Sequence, residues 1–413
     1  MRPLLAPLVA LLLVVPLAVP AAGYTATPAT PAQTADGESL PQITVVDNTT
    51  NHLSIPDSEV RVATYNRTSL DVGVAVAAGS RDLRSRYAVS KFEQEFFRRD
   101  TDAARDQLVA DTLADIETRV ERLERQHGLA TQRYASGALT AREFLRQRAL
   151  IDTQSRQLTR RLERIRTAAG TAPDYSLSQA QRFRLENNRG VLKTFRGPIS
   201  RQVATEAAGR SDPTTVYLEA SSTGYMLSTV ANGQYTRETY LGSERRPDSP
   251  DQFADTPDPL GAVNSRAEGL YPWLYSEQYP AVQTYGRTAI YQLQADHPNG
   301  RLTAFLDGGT ANVFFEYQSI ELSTVERSTV ATATNQSTRL QVSQSYESGP
   351  LLVAVSDNAT SAPVGGSVAI DGKRVGTTGT DGALWTVEPQ GDYTVTVTTQ
   401  DGERVSVRVE NER

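Results

Sequence analysis

Apolar side chains in the first half of this chain recur at alternating steps of four and three. Val109, Leu113, Ile116, Val120, Leu123, His127, Ala130 and Tyr134 therefore share one seam of a long helix. Gly137 punctuates the run, and Thr140 followed by Glu143 reads as a capping box that opens a second long helix. In that helix Phe144, Ile151, Leu158 and Ile165 repeat at sevens, with Leu162 filling the seam. A turn this short makes the two helices antiparallel neighbours. Helical patterning covers residues 72–169, and residues 101–168 are expected to form a hairpin that packs mainly on itself and projects from the rest. The first arm is rich in Asp and Glu and the second in Arg. Exposed pairs between them would set the register while the apolar seam holds the arms together.

Two shorter helices fit residues 176–209, after which the period drops to two. Strand patterns at 216–218, 224–230, 235–241, 289–294, 301–306 and 311–318 surround a Pro- and Asp-rich loop and a helix near 261–275, and Asn232-Gly233 marks a tight hairpin. Helix set between groups of antiparallel strands is an α+β layout. From residue 349 the chain reads as all β, with Asp371-Gly372, Asp381-Gly382 and Asp401-Gly402 each signalling a hairpin of a small sandwich. The expected fold class is multidomain α+β: an N-terminal long antiparallel helical hairpin, a central α+β domain and a C-terminal all-β sandwich. The expected segments are 1–23 signal peptide, 24–42 disordered tether, 43–175 helical domain, 176–320 α+β domain, 321–348 linker or edge strand, and 349–413 sandwich.

Export follows from the N-terminus. A basic start, an uncharged apolar run over 4–19 and small residues at 20–23 make a signal peptide, with cleavage expected between Ala21 and Tyr24. An uncleaved anchor is the alternative, and only then would the protein touch a membrane; Pro7, Pro16 and Pro20 argue against a continuous spanning helix. Residues 24–42 are too poor in bulky apolar side chains to bury a core. The chain has no cysteine, which removes disulfides, thiolate metal sites and cysteine nucleophiles. Lysine occurs only at Lys91, Lys193 and Lys373 while arginine is abundant, and the net charge is −6. That skew fits a GC-rich, salt-adapted source, and the balance argues against a nucleic-acid partner. Sequons at Asn48, Asn66, Asn335 and Asn358 are candidate glycosylation sites.

Two resemblances rest on particular residues. Pro363-Val364-Gly365-Gly366-Ser367-Val368, Gly376-Thr377-Thr378-Gly379-Thr380-Asp381-Gly382 and Pro389-Gln390-Gly391-Asp392-Tyr393-Thr394-Val395 resemble the carboxypeptidase regulatory-like, transthyretin-like family over about the last 65 residues. That resemblance implies a non-catalytic seven-strand spacer, support or adhesion module and carries over no catalytic residue. The stretch from Tyr134 to Leu145, Leu270-Tyr271-Pro272-Trp273 and the stretch from Gly300 to Gly308 resemble a group of uncharacterised exported haloarchaeal proteins, which implies a place and a layout without a chemistry.

Catalytic constellations are scarce. His52 falls in a mobile N-terminal region, His127 on the helical seam and His297 in a turn, and no zinc-hydrolase, Gly-x-Ser-x-Gly or Ser-x-x-Lys motif occurs. Asp307-Gly308 and its like serve turns, and no cofactor or metal is called for. The aromatics of the central domain are either its core or a ligand cleft, with Trp273 and Tyr275 as the binding candidates. The leading expectation is an extracellular or cell-surface interaction protein that meets an envelope partner through its helical hairpin. The alternative is an envelope-modifying hydrolase whose site lies in the α+β domain beside Trp273.

Overall fold

The computed structural model describes residues 42–277 and 279–411. It begins with two short paired strands, β1 (Ile43–Thr44) and β2 (His52–Leu53), and a longer strand β3 (Val62–Arg67). Helices α1 (Val72–Arg98), α2 (Asp102–Ala135), α3 (Ala141–Thr171), α4 (Gln179–Lys193) and α5 (Pro198–Ala207) follow. Local chemistry sets each start. Asp71 and Thr101 accept the backbone N–H three residues on, and Thr140 with Glu143 and Ser178 with Gln181 form reciprocal capping boxes. Pro198 opens α5, where its missing N–H would have had no helical partner.

Next come β4 (Thr215–Ala220), β5 (Gly224–Ala231), β6 (Gln234–Leu241), helices α6 (Pro259–Leu270) and α7 (Pro272–Glu277), then β7 (Ala281–Thr284), β8 (Ile290–His297), β9 (Gly300–Asp307) and β10 (Asn312–Glu321). Among the described residues they form with β3 one eight-stranded antiparallel sheet, ordered β3-β4-β5-β6-β10-β9-β8-β7. Asn232 and Gly233 turn β5 into β6 with φ of 53° and 76°, the left-handed pair that a two-residue hairpin needs. Both faces of this sheet are buried. Val216, Leu218, Tyr225 and Leu227 meet Tyr134, Phe144 and Leu145 of the helices on one side. Tyr217, Met226, Tyr235 and Ile320 meet Ile43, Leu53, Leu270 and Leu274 on the other. The side chains alternate face by face because successive residues of a strand point opposite ways.

The remaining strands are β11 (Ser328–Thr334), β12 (Thr338–Gln344), β13 (Pro350–Asp357), β14 (Gly366–Ile370), β15 (Lys373–Thr377), β16 (Ala383–Val387), β17 (Tyr393–Thr399) and β18 (Arg404–Val409). They make two four-stranded sheets, β11-β12-β13-β16 and β15-β14-β17-β18, packed across Leu340, Val342, Val353, Val368, Val395 and Val397. This sandwich is fastened to the central sheet. Tyr65 Oη donates to Val387 O at 2.6 Å, Tyr235 Oη to Ser348 O at 2.8 Å, Thr215 Oγ1 to Val375 O at 2.8 Å, and Gln390 N to Tyr217 Oη at 3.0 Å.

The long helices do not project. The seam of α2 is buried throughout, but it is shared by α3, α4 and, near its C-terminal end, the sheet. The arginines of α3 disperse accordingly. Arg146 faces Asp71 at 3.9 Å, Arg160 pairs with Asp82 at 3.0 Å and Arg164 with Glu93 at 3.2 Å, all on or before α1. Arg161 does reach Asp115 of α2 at 2.8 Å, whereas Glu117 of α2 pairs with Arg184 of α4 at 2.7 Å. The charges thus tie a layer of helices together instead of zipping two arms.

The boundary expected at 175/176 does not separate independent bodies, because β3, from within 43–175, is an edge strand of the central sheet, and Glu38–Arg413 form one compact unit. Residues 321–348 hold an edge strand, β11, and also an inner strand, β12, whose Leu340 and Val342 have no exposure. Asp371-Gly372 and Asp401-Gly402 do close hairpins, but Asp381-Gly382 carries the chain from β15 to β16 in the opposite sheet. The expected signal peptide, and the expected tether apart from residue 42, lie outside the described residues.

Helices and sheet are pinned by Arg148 of α3 and Glu238 of β6, which meet at 3.4 Å with neither side chain exposed. Glu238→Ala leaves the Arg148 charge buried without its partner and is expected to cost roughly 3–5 kcal/mol. Because the cores are shared, helical and β circular-dichroism signals should fall in one transition, in the variant as in the parent. Separate melting of the helices would contradict the shared core.

Candidate functional site

Trp273 and Tyr275 are two positions apart on α7, so their side chains diverge. Tyr275 is buried under α6 with its hydroxyl donating to Asn264 Oδ1 at 3.2 Å, while Trp273 is half-buried and edge-on to His297 at 5.8 Å. They form core and rim, and the structure does not join them in one cleft. The histidines stay apart too. His52 is not in a mobile lead: it lies in β2 and is 4% exposed. His127 is sealed against Tyr240 at 4.3 Å, and His297 closes β8. Burial, helped by Arg237, holds the His52 pKa well below its ordinary value; burial, helped by Arg148 and Arg245, does the same to His127. Burial brings His297 down to about 4 against the pull of Asp296. All three imidazoles are neutral near physiological pH and therefore poorly placed to exchange protons with a substrate.

Of the sequons, Asn335 and Asn358 sit on exposed turns of the sandwich, side by side, since Asn358 N donates to Ser337 O at 2.6 Å. Asn48 is exposed and Asn66 half-buried, and in both of these sequons the following threonine, Thr50 or Thr68, is buried.

Among the described residues, ionisable groups are buried on both faces of the sheet. On the helical face Glu238 accepts from Ser200 N at 3.2 Å, Ser200 Oγ at 2.9 Å and Tyr225 Oη at 3.3 Å, besides Arg148. On the opposite face Glu316 Oε2 accepts from Leu53 N at 3.0 Å and Tyr271 Oη at 2.5 Å, and Oε1 accepts from Gln318 Nε2 at 3.0 Å. Near it Glu219 and Arg237, each 3% exposed, face a cavity of about 50 Å³ shared with His52, Asp57 and Gln390. A cavity of that size holds a few water molecules and falls well below the roughly 300 Å³ at which small-ligand pockets begin. Burial raises the Glu219 carboxyl to about 7 against the opposing charge of Arg237, and raises Glu316 to about 7 against its hydrogen-bond donors. Shifted carboxyls of this kind also mark catalytic acids, but here the chain's own atoms enclose them.

The open site is elsewhere. Helices α1, α2 and α3 surround a groove of about 450 Å³, walled by Arg81 and Arg84 of α1, Arg119 and Arg122 of α2 and Arg161 of α3, over a floor of Leu123 and Leu158. The size is in the range of small-ligand pockets, about 300–1,000 Å³. Among the described residues no carboxylate lines it. Asp115, behind the wall, accepts from both Arg119 and Arg161, while Arg84 and Arg122 are exposed and have no ion-pair partner among the described residues. The Gln154 amide, turned with its oxygen to Arg81, accepts from Nε and Nη1 at 3.3 Å, and Gln157 Nε2 is buried at the groove without a hydrogen-bond partner. Burial and the neighbouring Arg84 lower the Arg81 pKa, as like charges crowded together should. The site escapes notice in the sequence when arginine runs are taken for solvated faces. The pairs at steps of three, Arg81 with Arg84 and Arg119 with Arg122, are the available signal.

Residues 329–406, which hold most of the two packed four-stranded sheets, match the archaeal fibronectin-III type-like domain, so the chain carries a fibronectin-like sandwich. That match, beginning at β11, replaces the expected carboxypeptidase regulatory-like module beginning at residue 349. Residues 216–326, which hold all but the first residue of β4 and the elements through β10, match a family of unknown function, DUF7094. Residues 1–212 match the domain of unknown function DUF7096, which is more than half of the chain, and the protein belongs to that family. No curated protein and no solved structure matches it. Among the described residues no helix is long and apolar enough to cross a membrane, and no group of three or more His, Cys, Asp or Glu side chains is placed to hold a metal ion.

The buried glutamates have a measurable consequence. A carboxyl whose folded-state pKa is raised favours folding while protonated, so its contribution is complete below about 4.5 and is lost as pH rises toward about 7. Each such group lowers stability by about 1.4 kcal/mol per pH unit within that window. Glu316→Gln, neutral at every pH, should therefore gain thermal stability relative to the parent as pH rises from about 4.5 to about 7. A constant difference in melting temperature across that window would show that Glu316 does not titrate there.

Proposed function

We propose that this is an exported, cell-surface protein of haloarchaeal type that binds an envelope component without catalysing a reaction, and that the groove between α1, α2 and α3 is its recognition site. The N-terminal apolar run supports export. The observation that carries the binding reading is the groove itself, an open cavity of about 450 Å³ whose five arginines include three, Arg81, Arg84 and Arg122, with no acidic partner among the described residues. The buried carboxylates, by contrast, are engaged or enclosed by the protein's own groups, which weighs against the hydrolase alternative.

The helical layer is the partner-facing surface because α1 also leaves an apolar stripe uncovered. Val72, Val76, Leu83 and Tyr87 are 66–71% exposed and lie along one side of the helix. The central sheet and the sandwich act as a support that fixes these helices.

The reading is tested by photo-crosslinking in native envelopes, with benzoylphenylalanine placed at position 84, at position 122 and, as a control, at Asp401 in the exposed β17–β18 turn. Positions 84 and 122 should give one common adduct that the control does not give. Ala88→Trp, which fills the groove, should abolish it while the melting temperature holds. Equal labelling from all three positions, or an adduct indifferent to Ala88→Trp, would sink the assignment.

A further inference from the structure

We infer that the α1–α2–α3 groove is a binding site for a multiply charged phosphate-type oxyanion. This rests on the groove being the recognition site and names the chemistry that it recognises. The first ground is charge. Arg81, Arg84, Arg119, Arg122 and Arg161 approach one cavity from three separate helices, and no acidic side chain lines that cavity among the described residues. Asp115 is the carboxylate that meets two of them, from behind. A single negative charge shared by Arg119 and Arg161 leaves most of the positive charge unanswered. Converging arginines of this kind would repel one another and loosen the layer unless an anion joined them.

The second ground is an unsatisfied donor. Gln157 is 7% exposed, belongs to the wall of the groove, and its Nε2 has no hydrogen-bond partner. A buried N–H left unpaired costs free energy, and a small turn of the Gln157 amide toward an acceptor oxygen in the groove would relieve that cost. The Gln154 amide is oriented by Arg81, so it holds that guanidinium in place without neutralising it. The third ground is geometry. The guanidinium fork matches two oxygens of a phosphate at once, and arginines on three walls suit a ligand with several such oxygens more than a lone carboxylate. The scarcity of lysine sharpens the point, for every cationic side chain that lines the groove is a forked guanidinium.

Phosphate of this kind could come from a soluble polyphosphate or from the headgroup of an anionic lipid, and the experiment separates the two. The full chain is titrated calorimetrically with sodium tripolyphosphate, and in parallel mixed with phosphatidylglycerol vesicles, with phosphatidylcholine vesicles as the neutral control. Saturable binding in at least one arm is expected, weakening as salt rises. Arg84→Ala and Arg122→Ala should each weaken it by about tenfold or more, since each removes a charge-assisted pair. Gln157→Leu should weaken it by severalfold, and Arg374→Ala, on an exposed strand of the sandwich, should leave it unchanged. Because Arg84 and Arg122 are exposed, equal melting temperatures of parent and variants will show that the fold is intact.

Binding of tripolyphosphate assigns a soluble source, and binding confined to phosphatidylglycerol vesicles assigns a headgroup; both uphold the oxyanion. No saturable binding in either arm overturns it, as does binding that survives both arginine substitutions. If crosslinks from positions 84 and 122 nevertheless form in the envelope, the groove remains a recognition site and only its phosphate chemistry is wrong. If neither crosslinks nor anion binding appear, both readings fall.

Discussion

The buried pair of Arg148 and Glu238 is the constraint on which the placement of the helical layer depends. Two opposite charges with no exposure gain from each other but lose their hydration, and the loss is offset only if further groups complete their hydrogen bonds. Here Ser200 donates from both its backbone and its hydroxyl, Tyr225 donates its hydroxyl, and Phe195 O accepts from Arg148. Arg148 also stacks over the Tyr225 ring at 4.8 Å. The fit is tight enough that a Cβ on Gly197 would lie 1.9 Å from the Glu238 carboxylate, so the start of α5 reaches its position only with glycine there. Arg148 Nε and Nη1 remain without partners, a sign that the pair specifies one arrangement more than it adds stability.

From that pin the rest of the layer follows. With α3 and α5 held to β6, the buried seam of α2 can satisfy α3, α4 and the sheet at once, and α1 is drawn over the outside by Asp82 and Glu93 reaching back to Arg160 and Arg164. The arginines so engaged are structural. Those left over, Arg84 and Arg122 foremost, turn into the cavity that α1 makes by lying across its neighbours. The opposite face of the sheet shows the complementary solution. There the polar groups are closed in by the N-terminal strands and the sandwich, and burial moves the carboxyls of Glu219 and Glu316 toward neutrality. One face therefore offers charge to the outside, and the other uses charge to join segments of the same chain.

Much of the local structure could be read from the residues alone. The seam positions of α2 are buried, the capping box at Thr140 caps α3, and Asn232-Gly233 makes its hairpin with both residues at positive φ. These features depend on neighbours three, four or two positions away, and such neighbours are visible in a sequence. Which face meets which partner was not visible. A seam shows that a helix is covered, and it cannot say whether one helix or several cover it, so a shared layer looked like a free-standing arm.

The same limit governed the site. Asp381-Gly382 carries the same signal as Asp371-Gly372, yet one crosses between sheets and the other closes a hairpin, because a turn sets a local reversal and only pairing decides which strand receives it. Trp273 and Tyr275 were legible as aromatic, but whether aromatics make a core or a cleft depends on what lies opposite, and for Tyr275 that is the core under α6. The groove gathers side chains from residue 81 to residue 161. Composition and spacing determined that this chain has two long capped helices, antiparallel strands, no thiol chemistry and an excess of arginine over lysine. Tertiary structure alone decided which arginines find carboxylates and which do not, since ion pairing depends on distances across elements far apart in the chain, where no periodicity reaches.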